Sequence, residues 1–241
     1  MTPRRPTSLH RLLAAALVLC ILPLTTQAAD TNGPIKIATI GAGHIGGTIG
    51  GLLAKAGHPV FFSSRHPKEL KSLVKETGPN TQAGTVEQAI RFSNVILLAV
   101  PYKAMPEISR DYGKQLAGKI ILDAGNPIPQ RDGKMAEVAL KKGSGVATSE
   151  YLPGASIVRA FSNQSYKVFA SEAHRPAPKL AVPLAGDDRH ALDIAVQLVK
   201  DAGFDPVIVG DLTKSKEFDV GSKLFVKPMT AKQLRQTLGI Q

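Results

Sequence analysis

Residues 36–67 read KIATIGAGHIGGTIGGLLAKAGHPVFFSSRHP: a short apolar run, a glycine-rich turn, a stretch of helical spacing and a second apolar run. This order constrains the fold more than any other part of the chain. A strand–helix–strand unit of about 30 residues with glycines at fixed places reads as a turn built to receive a dinucleotide. Gly41 permits the tight turn, Gly43 lets the backbone approach a pyrophosphate, and Gly46 lets the helix pack close to the strand. The amides of His44, Ile45 and Gly46 then direct their partial positive charge at the phosphates. His44 is expected to act through its backbone, with the imidazole over the ligand or in solvent. Gly47, Gly50 and Gly51 continue the glycine richness into the helix at about 1 kcal/mol each relative to alanine. Such a cost implies a close approach on that face, by a packed neighbour or by the ligand.

The second run ends in Ser63-Ser64-Arg65 rather than in an acid. A carboxylate there would accept hydrogen bonds from the ribose 2′-hydroxyl of NAD, whereas hydroxyls and a guanidinium suit the 2′-phosphate of NADP. The predicted cofactor is therefore NADP(H). Arg65 would pair with the 2′-phosphate and stack on adenine, Ser64 would donate to the same group, and Lys68 lies just beyond with His66.

The chain of 241 residues opens with a different kind of segment. Arg4, Arg5 and Arg11 precede an uncharged apolar run from Leu12 to Leu24, followed by Thr25-Thr26-Gln27-Ala28-Ala29. This three-part pattern predicts a secretory signal over residues 1–28, cleaved near Ala28, and an exported, periplasmic protein. The apolar run is shorter than the roughly 20 residues a spanning helix needs, so no stable membrane span is expected after cleavage. Cys20, the sole cysteine, would leave with the signal, and the mature chain would hold no disulfide, thiol nucleophile or cysteine metal ligand. Loss of the three arginines lowers the formal charge from +11 to +8. That balance favours phosphate-bearing ligands or a solvated basic surface. Nucleic acid is not expected, because no basic run interleaves with aromatics.

Beyond the signal, apolar strand candidates alternate with helix candidates. Strands are predicted over 35–40, 59–63, 94–100, 119–123, 156–161, 179–184 and 206–209, and helices over 44–57, 67–75, 86–92, 103–116, 135–142, from Asp187-Asp188 onward, and 231–238. The segment 124–133 reads as a loop, and Gly143-Ser144-Gly145 as the only flexible joint. The alternation predicts an α/β chain of Rossmann type, a doubly wound and mostly parallel sheet in one compact domain. A binding core over 34–130 would be completed by an α/β continuation of the same sheet over 131–241.

Ligands of such sheets sit beyond the carboxyl ends of the strands. Ala99, Val100 and Pro101 end one strand, and Asn126 and Pro127 follow the next. Both groups are predicted beside the nicotinamide and its ribose, although Asn126 also suits a plain loop. Phe161-Ser162-Asn163 could reach the substrate space. No triad, metal cluster or paired carboxylates is evident, and no catalytic residue or metal ligand is assigned.

Taken in order, GAGHIG, SSRHP, LLAVPY, GNPI and VRAFSN resemble the deazaflavin (coenzyme F420)-dependent NADP oxidoreductases and their bacterial relatives, over residues 35–209. The front half is also similar to the N-terminal domain of pyrroline-carboxylate reductases. The resemblance implies NADP on the glycine turn, its 2′-phosphate at Ser64-Arg65, and its nicotinamide near Val100-Pro101 and Asn126-Pro127. It further implies a flavin-like or deazaflavin co-substrate stacked on the nicotinamide. Direct hydride transfer between two carbons needs alignment more than an acid or a base. The expected partner is a small-molecule redox acceptor, with a homodimer allowed. Two other readings stay open: a non-catalytic NADP-binding module serving a membrane partner, and a pyrroline-carboxylate-type reductase. In the latter a long all-helical domain would follow, where this chain shows further strand-like runs. A secretory signal is unusual for a family whose coenzymes are cytosolic.

Overall fold

A computed structural model of the protein describes residues 1–2 and 33–240. The expected signal and its cleavage site lie outside the described residues. Residues 33–240 form one compact unit.

Among the described residues eight strands form one sheet: β1 (Ile37–Ile40), β2 (Val60–Ser63), β3 (Thr81–Gly84), β4 (Val95–Leu98), β5 (Ile120–Asp123), β6 (Ser156–Arg159), β7 (Ala181–Gly186) and β8 (Asp205–Gly210). The helices are α1 (His44–Lys55), α2 (Lys71–Thr77), α3 (Val86–Phe92), α4 (Met105–Leu116), α5 (Pro129–Asp132), α6 (Lys134–Lys142), α7 (Ser144–Tyr151), α8 (Tyr166–Glu172), α9 (Arg189–Asp201) and α10 (Ala231–Leu238). The strand order is β3-β2-β1-β4-β5-β6-β7-β8. Neighbours run parallel except β6 and β7, which pair antiparallel through Val158–Gly186 and Arg159–Ala185. The chain is thus a Rossmann-like, doubly wound α/β domain.

The strands of the centre carry apolar residues on both faces because both faces are covered. Ile37, Val60, Phe62, Leu97, Leu122 and Val158 point into a core shared with α1 and α9. Their neighbours in sequence, Ala38, Phe61, Ile96, Leu98, Ile121 and Ile157, point into a second core beneath α3, α4 and α7. A third, smaller core of Ala185, Val207, Phe218, Leu224 and Leu234 holds the final segment against β7 and β8.

Several expectations are corrected. The predicted helix over 67–75 is a 3-10 turn, Pro67–Leu70, followed by α2. Strand β3 was not expected, since TQAG is a polar edge strand whose middle two residues are exposed. Gly143-Ser144-Gly145 is no joint. Ser144 and Gly145 are buried and open α7, where the Asp219 carboxylate accepts the Ser144 amide at 2.8 Å. The loop over 124–133 contains the single turn α5. The short helix α8 was also not expected; Ser165 caps it by accepting from the Val168 amide at 3.3 Å.

The glycine face of α1 is a packing face. A Cβ on Gly50 would lie 2.5 Å from Cε1 of Phe62, and one on Gly51 would lie 3.1 Å from the Thr77 methyl. Close packing, rather than direct ligand contact, explains those two residues. On the same side of the sheet Phe161, Phe169 and Phe204 meet edge to face, with centroids 5.4 to 6.4 Å apart. Phe169 is fully buried there, so Phe169→Ala is expected to cost about 3–5 kcal/mol. An unchanged denaturant midpoint would contradict this packing.

Candidate functional site

Four strand ends that lie side by side in the sheet, those of β2, β1, β4 and β5, carry every residue assigned to the cofactor from the sequence, and Phe161-Ser162-Asn163 follow β6. The ladder continues past the strands and levels their ends: the Gly41 amide donates to the Ser63 carbonyl (3.2 Å), Ala99 to Ile40 (2.9 Å) and Ala124 to Leu98 (3.0 Å). Gly41, Gly43, His44, Ile45 and Gly46 follow β1, and Ser64, Arg65 and Lys68 follow β2. Ala99, Val100 and Pro101 follow β4, and Asn126 and Pro127 follow β5.

The turn after β1 is set by sterics. Gly41 has φ +90, which side chains rarely adopt, and a Cβ there would meet the Ala99 carbonyl oxygen at 2.5 Å. A Cβ on Gly46 would lie 1.9 Å from the Gly41 carbonyl oxygen. Gly43 differs: nothing lies within 4 Å of the Cβ it lacks. The cradle is therefore tight beneath the helix and open above it. Gly43 caps α1 without any side-chain hydrogen bond, and the first turn holds no acid. The leading amides of α1 are thus available to an anion.

Beside this turn the end of β2 is fixed from within. The buried Ser63 hydroxyl donates to the Thr39 carbonyl at 2.5 Å, so this serine is structural. The Ser64 hydroxyl accepts from the His66 amide at 2.8 Å, which shapes the turn and leaves its proton for another acceptor. Arg65 is exposed and forms no ion pair among the described residues. The imidazole of His44 stacks on Tyr166, with centroids 4.2 Å apart and planes 9° from parallel. This pair joins the first residues of α1 and α8 at the rim of the turn, a contact with no signal in the sequence.

At the other end Asn126 does more than form a loop. Its amide donates to the Ser162 carbonyl at 2.8 Å, and its side-chain oxygen accepts from Nη2 of Arg159 at 3.2 Å. Arg159, fully buried on β6, had not been singled out by itself. Its charge within the apolar run SIVRAF was the available signal, because a buried guanidinium requires buried acceptors. Those include the carboxylates of Asp123 and Asp219, each at 3.1 Å. Burial opposes the Arg159 charge, but the two carboxylates outweigh it and raise the guanidinium above its ordinary range. Burial likewise drives the Asp123 carboxyl upward, against the pull of Arg159, Thr148 and the Gly125 amide. Tyr102, next to Pro101, is buried, and that burial together with Asp123 pushes its phenol upward, so it keeps its proton at neutral pH. The loop after β6 buries further polar atoms. Ser162 Oγ, Asn163 Oδ1 and both amide atoms of Gln164 have no protein partner among the described residues.

Residues 36–127 match the family described as NADP oxidoreductase, coenzyme F420-dependent. Over that stretch the chain is similar to the family. The resemblance read from the strand-end motifs is thereby shown for this part of the chain. No curated protein matches. Among solved structures, the chain is similar to a hypothetical protein from Sinorhizobium meliloti, at 27% identity and a TM-score of 0.72. That alignment covers 81% of this chain and 95% of the other. A candidate F420-dependent NADP-reductase from Arthrobacter sp. FB24 shares the fold at 21% identity, with a TM-score of 0.64, over 86% of this chain and 96% of its own. An imine reductase from Myxococcus stipitatus in complex with NAD+ shares it at 15% identity and a TM-score of 0.58, over 86% of this chain and 62% of its own.

The two glycines of the turn should separate on mutation. Gly46→Ala is expected to destabilise the ligand-free protein strongly, because a backbone oxygen occupies the space of the new methyl. Gly43→Ala should leave the melting midpoint nearly unchanged yet weaken NADPH by about tenfold, a loss of about 1.4 kcal/mol. Calorimetric titration and thermal melting of both variants check the contrast.

Proposed function

We propose that this protein is an NADP(H)-dependent oxidoreductase that passes a hydride between NADPH and a flat, flavin-like or deazaflavin acceptor. The observation that carries the reading is the pairing of an uncapped helix start over an open Gly43 with an unopposed guanidinium at the end of β2. The first accepts a pyrophosphate and the second a 2′-phosphate. Bound there, NADPH supplies the hydride from its nicotinamide ring. The chain's own residues would then bind and orient. The amides of His44, Ile45 and Gly46 hold the pyrophosphate, and Ser64, Arg65 and Lys68 surround the 2′-phosphate. Ala99, Val100, Pro101, Asn126 and Pro127 line the nicotinamide end. Hydride transfer of this kind moves no proton at the reacting carbon, so positioning is the main task of the protein.

The pyrroline-carboxylate-type reading is less well supported, since β6, β7 and β8 extend the same sheet where that reading calls for a long helical domain. A non-catalytic module would bind NADPH equally well, and turnover separates the two. Loss of NADPH absorbance with flavin or deazaflavin acceptors is expected; tight binding without turnover under any acceptor would favour the module. Arg65→Ala should weaken NADPH about tenfold or more and leave NADH within about twofold, the worth of one charge-assisted contact. Equal losses for both nucleotides would overturn the 2′-phosphate assignment.

Export to the periplasm is part of the same proposal and rests on the sequence pattern of residues 1–28. N-terminal sequencing of the exported protein is expected to begin near Ala29. A mature protein that still begins at Met1 would overturn it.

A further inference from the structure

We infer that Arg159 is a positioning residue for the nicotinamide end of the site, and that Asp219, from the final segment of the chain, sets Arg159 in place. The inference rests on the NADP reading proposed above. Arg159 grips three of the four residues 123–126. Its Nη1 donates to the carbonyls of Asp123 (3.0 Å) and Gly125 (2.5 Å), and its Nη2 donates to the Asn126 side chain at 3.2 Å. These residues form the turn after β5, beside which the nicotinamide is placed. The other partners from outside the turn each hold one of its residues. Asp123 Oδ1 accepts the Gly125 amide at 2.9 Å, and Asn126 donates to Ser162. The Ala124 amide donates to the Leu98 carbonyl at 3.0 Å, the Ala160 amide to the Asp123 carbonyl at 3.1 Å, and the Arg131 guanidinium to the Asn126 carbonyl at 2.5 Å.

Asp219 supplies the counterweight. It accepts from Arg159 Nη2 at 3.1 Å and from the Ser144 amide at 2.8 Å, and the Ser144 hydroxyl donates to it as well. One carboxylate thus joins the final segment, the start of α7 and the guanidinium. Thr148 of α7 donates to the other carboxylate, Asp123, at 2.8 Å. The planar fork of Arg159 is held on both sides before it reaches the turn.

Stability alone is a poor reason for such an arrangement. Removing two carboxylates and a guanidinium from water carries a large desolvation cost, and well-packed apolar residues commonly serve a core as well or better. What the ionic arrangement gives is a fixed geometry, and here that geometry is the conformation of the 123–126 turn. The two ends of the dinucleotide should therefore respond differently when it is altered. The adenine end rests on β1 and β2, which Arg159 does not touch.

The test compares 2′,5′-ADP, which fills only the adenine end, with NADPH. Full-length protein and the variants Arg159→Lys, Arg159→Met and Asp219→Asn are titrated with both by calorimetry, and the fluorescence of bound NADPH reports the nicotinamide's surroundings. Arg159→Met is expected to keep 2′,5′-ADP affinity within about twofold and to lose about tenfold for NADPH, with the bound fluorescence altered. Arg159→Lys should recover part of the loss, since one ammonium cannot serve both sides of the fork. Should Arg159→Met fail to fold, Asp219→Asn, which preserves side-chain volume, carries the same comparison. Equal losses for both ligands, or no loss for either, would overturn the inference while leaving the NADP reading intact. Wild-type protein that binds neither ligand would overturn the NADP reading itself, and this inference with it.

Discussion

Everything at the candidate site depends on how closely α1 can approach the sheet. The helix rests on β1 and β2 through glycines, with the Gly46 position in contact with the Gly41 backbone and the Gly50 position in contact with Phe62. Only at that distance does the first turn of the helix meet the carboxyl edge at the level of the strand ends. A larger residue would lift the helix and carry its amides away from the edge. The glycine cost in helix propensity is thus offset by the position it permits.

The second determinant is the reversal at β6. Strands β1 to β6 all deliver their carboxyl ends to one edge, and β7 turns back, so its first residues lie at that same edge. There the Val226 amide donates to the Asn163 carbonyl and the Ala181 amide to the Met229 carbonyl, each at 2.8 Å. The final segment closes this side of the edge. Phe161 and Val226 both hold positive φ, 54 and 55, on either side of the closure. Such backbone is disfavoured for bulky residues and is retained where the surroundings dictate it.

Much of the fold was legible because its signals are local. Helices α3 and α10 have the predicted bounds, and each begins with a capping box, Thr85 with Gln88 and Thr230 with Gln233. Asp188 starts α9 as read, accepting from the Ala191 amide at 2.8 Å. What escaped the sequence is held by distant partners. Helix α7 has almost no apolar periodicity, and its first amide is satisfied by an aspartate 75 residues away. Strand β3 lacks an apolar run because it lies at the sheet edge. The glycine turn and the β2 ending announce themselves within one short stretch of chain. By contrast, the partners of Arg159 come from two segments far apart in the chain, residues 123–126 and Asp219, and only tertiary structure brings them together.

The late position of Asp219 also orders events in time. A chain emerging from synthesis could lay down β1 to β6 and bury Arg159 against Asp123 while its second carboxylate was still to come. Domains settle as cooperative units, and this one lacks the second partner of Arg159 until Asp219 arrives. The turn after β5 would acquire its final shape only then. A finished turn therefore requires the segment that carries Asp219, and a copy lacking that segment would not present the same surface at that end of the site.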